Sequence, residues 1–408
     1  MKISPPRNWT IASLGEIVPK VPNAIVDGPF GSNLKTTDYV EQPGVPVLQG
    51  KNVTGDRFRW FDVRYVSESK AYELRRSSVR VNDILIVKIG SIGYSAVVDD
   101  LHGYDHAIIP ANLAKVTLDE SVANRTYVHH WLKSNEAKRY LEQSASKTAQ
   151  QALSLSKIKA LPVPLPPIEE QRRIAAILDQ AEALRAKRRQ ALAKLDTLTQ
   201  SLFLEMFGDP DSNPKGWTKK KLVDICSVIT DGEHQTPKRS DSGFKLLSAR
   251  NVRNGHLDFS DVDYVDEVEF ERIVARCRPQ RNDVLISCSG TIGRVSAIRT
   301  DEGLCLVRSA ALLRPIKENV DTDFLEGWLL QPWMTRMMMS RANASGQPNL
   351  FQNQIKELPI LVPSLSLQRQ FSVRAGAIRE QRIKFETAFD KGDKLASSLQ
   401  HRAFRGEL

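Results

Sequence analysis

The chain has 408 residues, 41% hydrophobic and 26% charged, a balance that excludes a disordered or collagen-like polymer and calls for two or three folded domains. Its 58 Lys and Arg against 48 Asp and Glu leave a net charge of +10, which favours a polyanionic partner such as nucleic acid. No stretch approaches the roughly 18 uninterrupted apolar residues of a membrane span, no export signal opens the chain, and Cys226, Cys277, Cys288 and Cys305 include no CxxC pair. The expectation is a protein of the reducing cytoplasm with no membrane association and no metal site.

In chain order, short β-rich runs come first, at Val45–Leu48 and Ile84–Ile89, bounded by Gly and Asp turn signals. A helical patch follows at Tyr127–Ser144, then a proline-rich stop at Leu161–Pro167 that reads as a hinge. A long helix begins next. No proline or glycine interrupts residues 168–207, enough for a rod of about 60 Å. Its apolar positions Ile174, Ile177, Ala181, Leu184, Ala191, Leu195, Leu198 and Leu202 alternate steps of three and four, the narrow seam of a coiled coil, with Arg188 as the one break.

After Gly208-Asp209-Pro210 the pattern restarts, about 200 residues on. NDILI and GSIG at 82–86 and 90–93 return as NDVLI and GTIG at 282–286 and 290–293. LQGKNV at 48–53 returns as LSARNV at 247–252, and IKALPV at 158–163 as IKELPI at 355–360. Strands are therefore expected at Phe244–Leu247 and Val284–Ser287, a helical patch at Phe324–Arg341 and a second stop at Leu358–Pro363. A second long helix keeps a seven-residue spacing through Phe371, Ile378, Phe385 and Leu399, weakened locally by Gly392. A period of 200 is too long for a solenoid unit, so the chain is read as a duplicated domain. The two helices are expected to pack antiparallel on one another and to hold the two globules apart.

Catalytic constellations are missing from the sequence: no GxxxxGK[ST] loop, GxGxxG fingerprint, HExxH, GxSxG or Asn/Asp-Pro-Pro-aromatic tetrad occurs, and the seven histidines are scattered. The pairs Asn82-Asp83 and Asn282-Asp283 and the glycines of GSIG and GTIG read as turn formers. What remains is a set of donor-rich loops at matching places. DGPFGSNLK at 27–35 ends in Lys35, and Lys51, Arg57, Arg59, Lys88, Gln150 and Gln151 follow it in the first copy. DGEHQTPK at 231–238 supplies His234 and Lys238, and Arg250, Arg253, Arg294, Gln347 and Asn349 follow in the second. Arg and Lys suit phosphates and guanine edges, while Asn and Gln suit adenine, so these fourteen residues are the candidate DNA contacts.

Taken together, these motifs resemble the specificity subunit of type I restriction-modification enzymes. The resemblance rests on the two NDxLI…GxIG segments, the two Asp-Gly loops, LPVPLPPIEEQR at 161–172 and HRAFRGEL at 401–408, and it covers essentially the whole chain. The second junction, LVPSLSLQR at 361–369, departs by lacking the double proline and the Glu before Gln368. The resemblance implies an α+β chain: two homologous mixed α/β target-recognition domains (1–166 and 209–363) separated by two long antiparallel coiled-coil helices (167–208 and 364–408). It implies a chain without catalysis of its own, each domain reading half of a split duplex DNA target while the helices set the half-site spacing. Two modification subunits carrying S-adenosylmethionine would dock on it and methylate adenine, and restriction subunits using ATP and magnesium would join to cleave. A two-domain protein-binding adaptor without DNA specificity fits the repeat and the helices equally well, and DNA affinity separates the two readings.

Overall fold

A computed structural model describes residues 6, 8–29, 33–41, 44–146, 151–342 and 348–408, apart from the side chains of residues 196, 387, 389–391 and 394. The chain divides into two compact units. One comprises Met1–Lys187 with Phe389–Leu408, the other Arg188–Ala388. The long helices run Ile168–Phe207 and Leu365–Ala403, so each unit takes a recognition domain together with part of both.

In the first unit a four-stranded antiparallel sheet runs in the order Ser95–Val97, Ile84–Val87, Leu113–Val116, Ile25–Asp27. The strand Ile84–Val87 is buried throughout because both faces are covered. Ile84 and Ile86 meet a core containing Tyr127, Trp131 and Ile174, whereas Leu85 and Val87 meet a second core with Leu48, Val53 and Ile109. Side chains alternate across a strand, so burial on both faces explains a continuous rather than alternating apolar run. A five-stranded sheet beside it contains one parallel pair, Val45–Val47 with Ala107–Ile108.

The second unit repeats this plan. Its sheet runs Cys226–Asp231, Ala310–Pro315, Val284–Ser287, Val295–Ala297, and a three-stranded sheet again holds one parallel pair, Phe244–Leu247 with Leu304–Leu306. Asn82 and Asn282 adopt φ of 81° and 77°, the left-handed turn for which Asn is suited. Asp83 and Asp283 accept the backbone N–H of Arg80 and Gln280 at 2.8 Å each, which closes the two turns.

Three sequence expectations change. Each helical patch is two helices: Arg125–Leu132 and Asn135–Ser144, then Thr322–Leu329 and Pro332–Arg341. Ser134 caps the second of the first pair, and Pro332 opens the second of the other. The proline-rich stops are strands, not hinges. Pro162–Leu165 pairs antiparallel with Thr10–Ser13, and Pro359–Val362 with Thr218–Lys221. Prolines are tolerated here because each ribbon has only two strands, so on its unpaired side a missing N–H breaks no ladder bond. On that side Trp131 Nε1 and Tyr127 OH donate to the carbonyls of Pro162 and Pro164, and Trp328 Nε1 to that of Pro359.

The third change concerns the helix seam. Within each unit the two long helices lie antiparallel. In the first unit Arg173 donates to the carbonyl of Leu408, and Arg185 bonds Asp393 at 2.6 Å. In the second, Arg188 donates to the carbonyl of Ala388, and the Phe203 ring meets the edge of Phe371 at 5.5 Å. Ile174, Leu202 and Phe371 are buried, and Ile177, Leu195, Ile378 and Leu399 are half-buried, but Leu184, Leu198 and Phe385 are exposed. The covered line on the first helix is Ile174, Leu178, Ala181, Arg185, Arg188, Leu192, Leu195, Thr199, Leu202 and Met206, stepping by four and then three. Both readings share every seventh residue from Ile174, so period alone leaves open whether the intermediate position is three or four along. Polar Arg185 and Thr199 mask the covered line, while Leu184 and Leu198 mark its edge.

Candidate nucleic-acid interface

Both Asp-Gly loops begin at the end of an edge strand, where two backbones nearly touch. A side-chain carbon on Gly28 would overlap the carbonyl of Pro110, and one on Gly232 that of Leu306, so only glycine fits. The preceding carboxylates are enclosed. Asp27 holds the ammonium of Lys88 at 2.6 Å, with both side chains buried. Lys88, a candidate DNA contact by its sequence, is instead buried just past the strand Ile84–Val87, where a buried charge needs a counter-charge. Asp231 accepts from Arg276 at 2.9 Å and Gln352 at 2.5 Å, with His234 Nε2 2.8 Å away. Burial works to raise its carboxyl, but these bonds outweigh it and hold Asp231 below the usual carboxylate range.

The next loops hang on one buried asparagine in each unit. Asn52 accepts the N–H of Gln49 at 2.8 Å and donates to the carbonyls of Arg59 and Phe61 at 2.8 and 2.9 Å. Asn251 accepts from Ser248 at 3.0 Å and donates to Asp258 and Asp261 at 3.0 and 3.1 Å. Each amide thereby fixes a small hairpin, Val53–Thr54 with Arg57–Phe58 and Val252–Arg253 with His256–Leu257.

The hairpins present charge differently. Arg57 and Arg59 are exposed and form no ion pair among the described residues, and Lys51 is paired with Asp62. In the second unit Arg253 meets Asp258 at 3.3 Å and Arg250 meets Asp263 at 2.8 Å. The hydroxyl and N–H of Ser260, with Arg253 behind them, hold the Asp258 carboxyl below its ordinary value.

Lys35 and Lys238 are exposed, and Arg294 is half-buried with no ion pair among the described residues. Gln151 is exposed and Asn349 half-buried, bridged to Ser289. Gln150 and Gln347 lie outside the described residues. In the first unit Gln151 joins Tyr39, Gln49, Arg64, Gly90 and Asn112 around an open cleft of about 800 Å³. Apart from Gln151, none of these polar residues stood out as a reader in the sequence. Their signal is that they differ between two otherwise matching copies. Among the described residues no group of three or more His, Cys, Asp or Glu side chains could hold a metal ion. The four cysteines are free and buried, and burial pushes the Cys226, Cys288 and Cys305 thiols up to about 12 and that of Cys277 to about 11.

The family described as the type I restriction modification DNA specificity domain matches the chain twice, over residues 6–194 and 214–372. The chain belongs to that family. It is 31% identical over 342 residues to the type I restriction enzyme EcoBI specificity subunit of Escherichia coli, covering 74% of this chain and 69% of that one. To the EcoKI specificity subunit of Escherichia coli strain K12 it is 21% identical over 431 aligned positions, covering 99% and 90%. Among solved structures, the S subunit of a type I restriction-modification system from M. genitalium superposes with a TM-score of 0.59 at 14% identity, covering 99% of this chain and 98% of that one. A chain from a structure titled for complex assembly and conformational transition of the type I system gives 0.55 at 17%, covering 99% and 100%. These two likenesses speak to fold.

In this specificity subunit the join between recognition domain and helix is built the same way twice. Gln171, buried, accepts from Asn124 N at 2.7 Å and donates to the carbonyls of Val122 and Pro166 at 3.1 and 2.8 Å. Gln368, also buried, accepts from Asp321 N at 2.8 Å and donates to Asn319 and Pro363 at 3.3 and 2.8 Å. The departures at the second junction therefore leave its central bonds unchanged. Phe404 packs on Tyr127 and Trp131 in one unit as Phe207 packs on Phe324 in the other. No helix among the described residues is long and apolar enough to cross a membrane.

Proposed function

We propose that each recognition domain of this specificity subunit reads one half of a bipartite duplex DNA target, and that the paired helices set the distance between the halves. The observation that carries this reading is a duplicated framework with unlike surfaces. Gly28 and Gly232, Asn52 and Asn251, and Gln171 and Gln368 do the same work, while the charged residues around them differ. Two copies of one scaffold with different exposed donors suit two different sequences on one polymer. Exposed Lys35, Arg57, Arg59 and Lys238, with half-buried Arg294, are the phosphate contacts of this proposal.

The helices would also seat two modification subunits, which supply S-adenosylmethionine and transfer methyl to adenine. Restriction subunits with ATP and magnesium would complete a cleaving complex in the cytoplasm. Apolar side chains left open on the helices support such docking: Leu184 is 48% exposed, Leu198 50%, Ile383 55% and Leu395 59%. The chain itself needs no cofactor for this role.

The test is to sequence methylated bases in a host that makes this chain with methyltransferase subunits, alongside binding of the purified complex to duplex DNA. A two-part methylated motif with a fixed gap is the expected result. Sequence-independent methylation, or a complex with no DNA affinity, would refute the reading and favour a protein-binding adaptor.

A further inference from the structure

The two domains can be laid on one another by bonds they share. Gln49 and Ser248 each give their N–H to the framework asparagine. The N–H groups of Lys88 and Cys288 reach the carbonyls of Asn112 and Ser309, at 2.8 Å in both cases. Arg64 sits opposite Val47 across one strand pair, as Asp263 sits opposite Leu246 across its counterpart. In this register Gln49 corresponds to Ser248, Arg64 to Asp263 and Asn112 to Ser309.

All three first-domain residues line the one open cleft of about 800 Å³. Their bonding is unlike that of their counterparts. The Oδ1 of Asn112 is buried without a hydrogen-bond partner among the described residues, whereas Ser309 Oγ accepts from Ala249 N at 3.0 Å. Arg64 lies over the Tyr39 ring, 5.2 Å from its centroid, and forms no ion pair among the described residues. Asp263 instead is bonded by Arg239 at 2.9 Å and Arg250 at 2.8 Å.

We propose that Gln49, Arg64 and Asn112 read base edges of the half-target bound by the first domain. The proposal rests on the reading above that this domain meets duplex DNA, and adds which side chains face the bases. No described donor holds the orphaned carboxamide oxygen, so the half-buried Asn112 amide is free to turn into the cleft, where the major groove offers adenine N6 and cytosine N4. A guanidinium beyond ion-pair distance of every described carboxylate, steadied on an aromatic ring, is suited to guanine O6 and N7. At the matching place the second domain offers two hydroxyls and a carboxylate already engaged by arginines. It therefore reads a different sequence through different chemistry, on the same framework.

The experiment uses the full chain in complex with its methyltransferase subunits, as wild type and as Asn112→Ser, Arg64→Ala and Gln49→Ser. Two of these install the residue the other domain carries at that position. The methylated motif is read genome-wide, and binding is selected from duplexes randomised across both halves. Each variant is expected to lose discrimination at one base pair of the first half by roughly 5- to 100-fold, with the second half and the gap unchanged. An unaltered first half in a complex that still reads both halves overturns the proposal. So does a uniform loss of affinity across sequences with a flatter salt slope, which is the signature of phosphate contact. A wild-type complex without a two-part motif would remove the DNA reading itself and this proposal with it.

Discussion

Replacing Gln171 by leucine keeps the buried volume at the join between the first recognition domain and its helix, but removes three hydrogen bonds. The N–H of Asn124 loses its acceptor, and the carbonyls of Val122 and Pro166 lose a donor. Leaving a buried polar backbone group unsatisfied costs about 1–3 kcal/mol. Two of the three bonds are only part-buried, so water recovers some of this, and the sum falls near 3–5 kcal/mol. That is a large share of the roughly 5–15 kcal/mol by which a domain is stable. Urea unfolding of the full chain measures the loss, and backbone hydrogen exchange locates it. Protection should fall at residues 122–124 and 166–171 and hold at 319–321, where Gln368 makes the corresponding bonds. Arg172→Ala, which breaks a surface pair with Glu169, is the control and should cost no more than about 0.5 kcal/mol. A loss under about 1 kcal/mol for Gln171→Leu, with exchange at 122–124 unchanged, would refute the idea that this glutamine ties the helix to the domain.

Three further outcomes are expected. Lys88→Met should destabilise the first unit by roughly 3 kcal/mol, because it leaves the buried Asp27 carboxylate with only the exposed Arg76 at 3.8 Å, measured by urea unfolding; a loss confined to DNA affinity would contradict its buried role. Arg57→Ala and Arg59→Ala should instead leave unfolding unchanged and lower DNA affinity across all sequences, each flattening the salt slope by about one. Burial, with Lys133 beside it, pushes the His129 imidazole down to about 4. Between the ordinary value near 6.5 and that one, the unfolded chain takes up a proton that the folded chain refuses. Stability is thus fully present above about pH 6.5 and falls by roughly 3 kcal/mol toward pH 4, a dependence that His129→Gln should flatten in pH-resolved unfolding.

Much of the fold is legible in the residues because it is written twice. The run Ile84–Ile89 announces a strand, and its return at Val284–Ser287 places the second copy, while the cover on both faces shows only in the fold. The long helices show through an absence of proline and glycine in one case and a sustained seven-residue spacing in the other. Less legible is anything decided by partners distant in sequence. Pro162–Leu165 reads as a break until Thr10–Ser13 is seen to supply the other half of its ribbon. Lys88 reads as an outward donor until Asp27, 61 residues earlier, is found against it. The seam is misphased because Leu184 and Leu198 are apolar where the helix is open, and Arg185 is charged where it is covered. Gln49, Arg64 and Asn112 come from separate strands and loops, each unremarkable alone, and only the folded sheets bring them to one cleft.

The central claim is that two independent readers are held at a set distance by the helix pair, and lengthening that pair tests it most directly. One heptad inserted after Leu195, with a matching heptad after Ile383 in the antiparallel partner, keeps the covered line in phase and adds about 10 Å. At about 3.4 Å per base pair this is roughly three base pairs, fewer if the helices are inclined to the DNA. The methylated motif of the resulting complex should keep both half-sequences and show a longer gap between them. An active complex with an unchanged gap, or with altered half-sequences, would contradict the account.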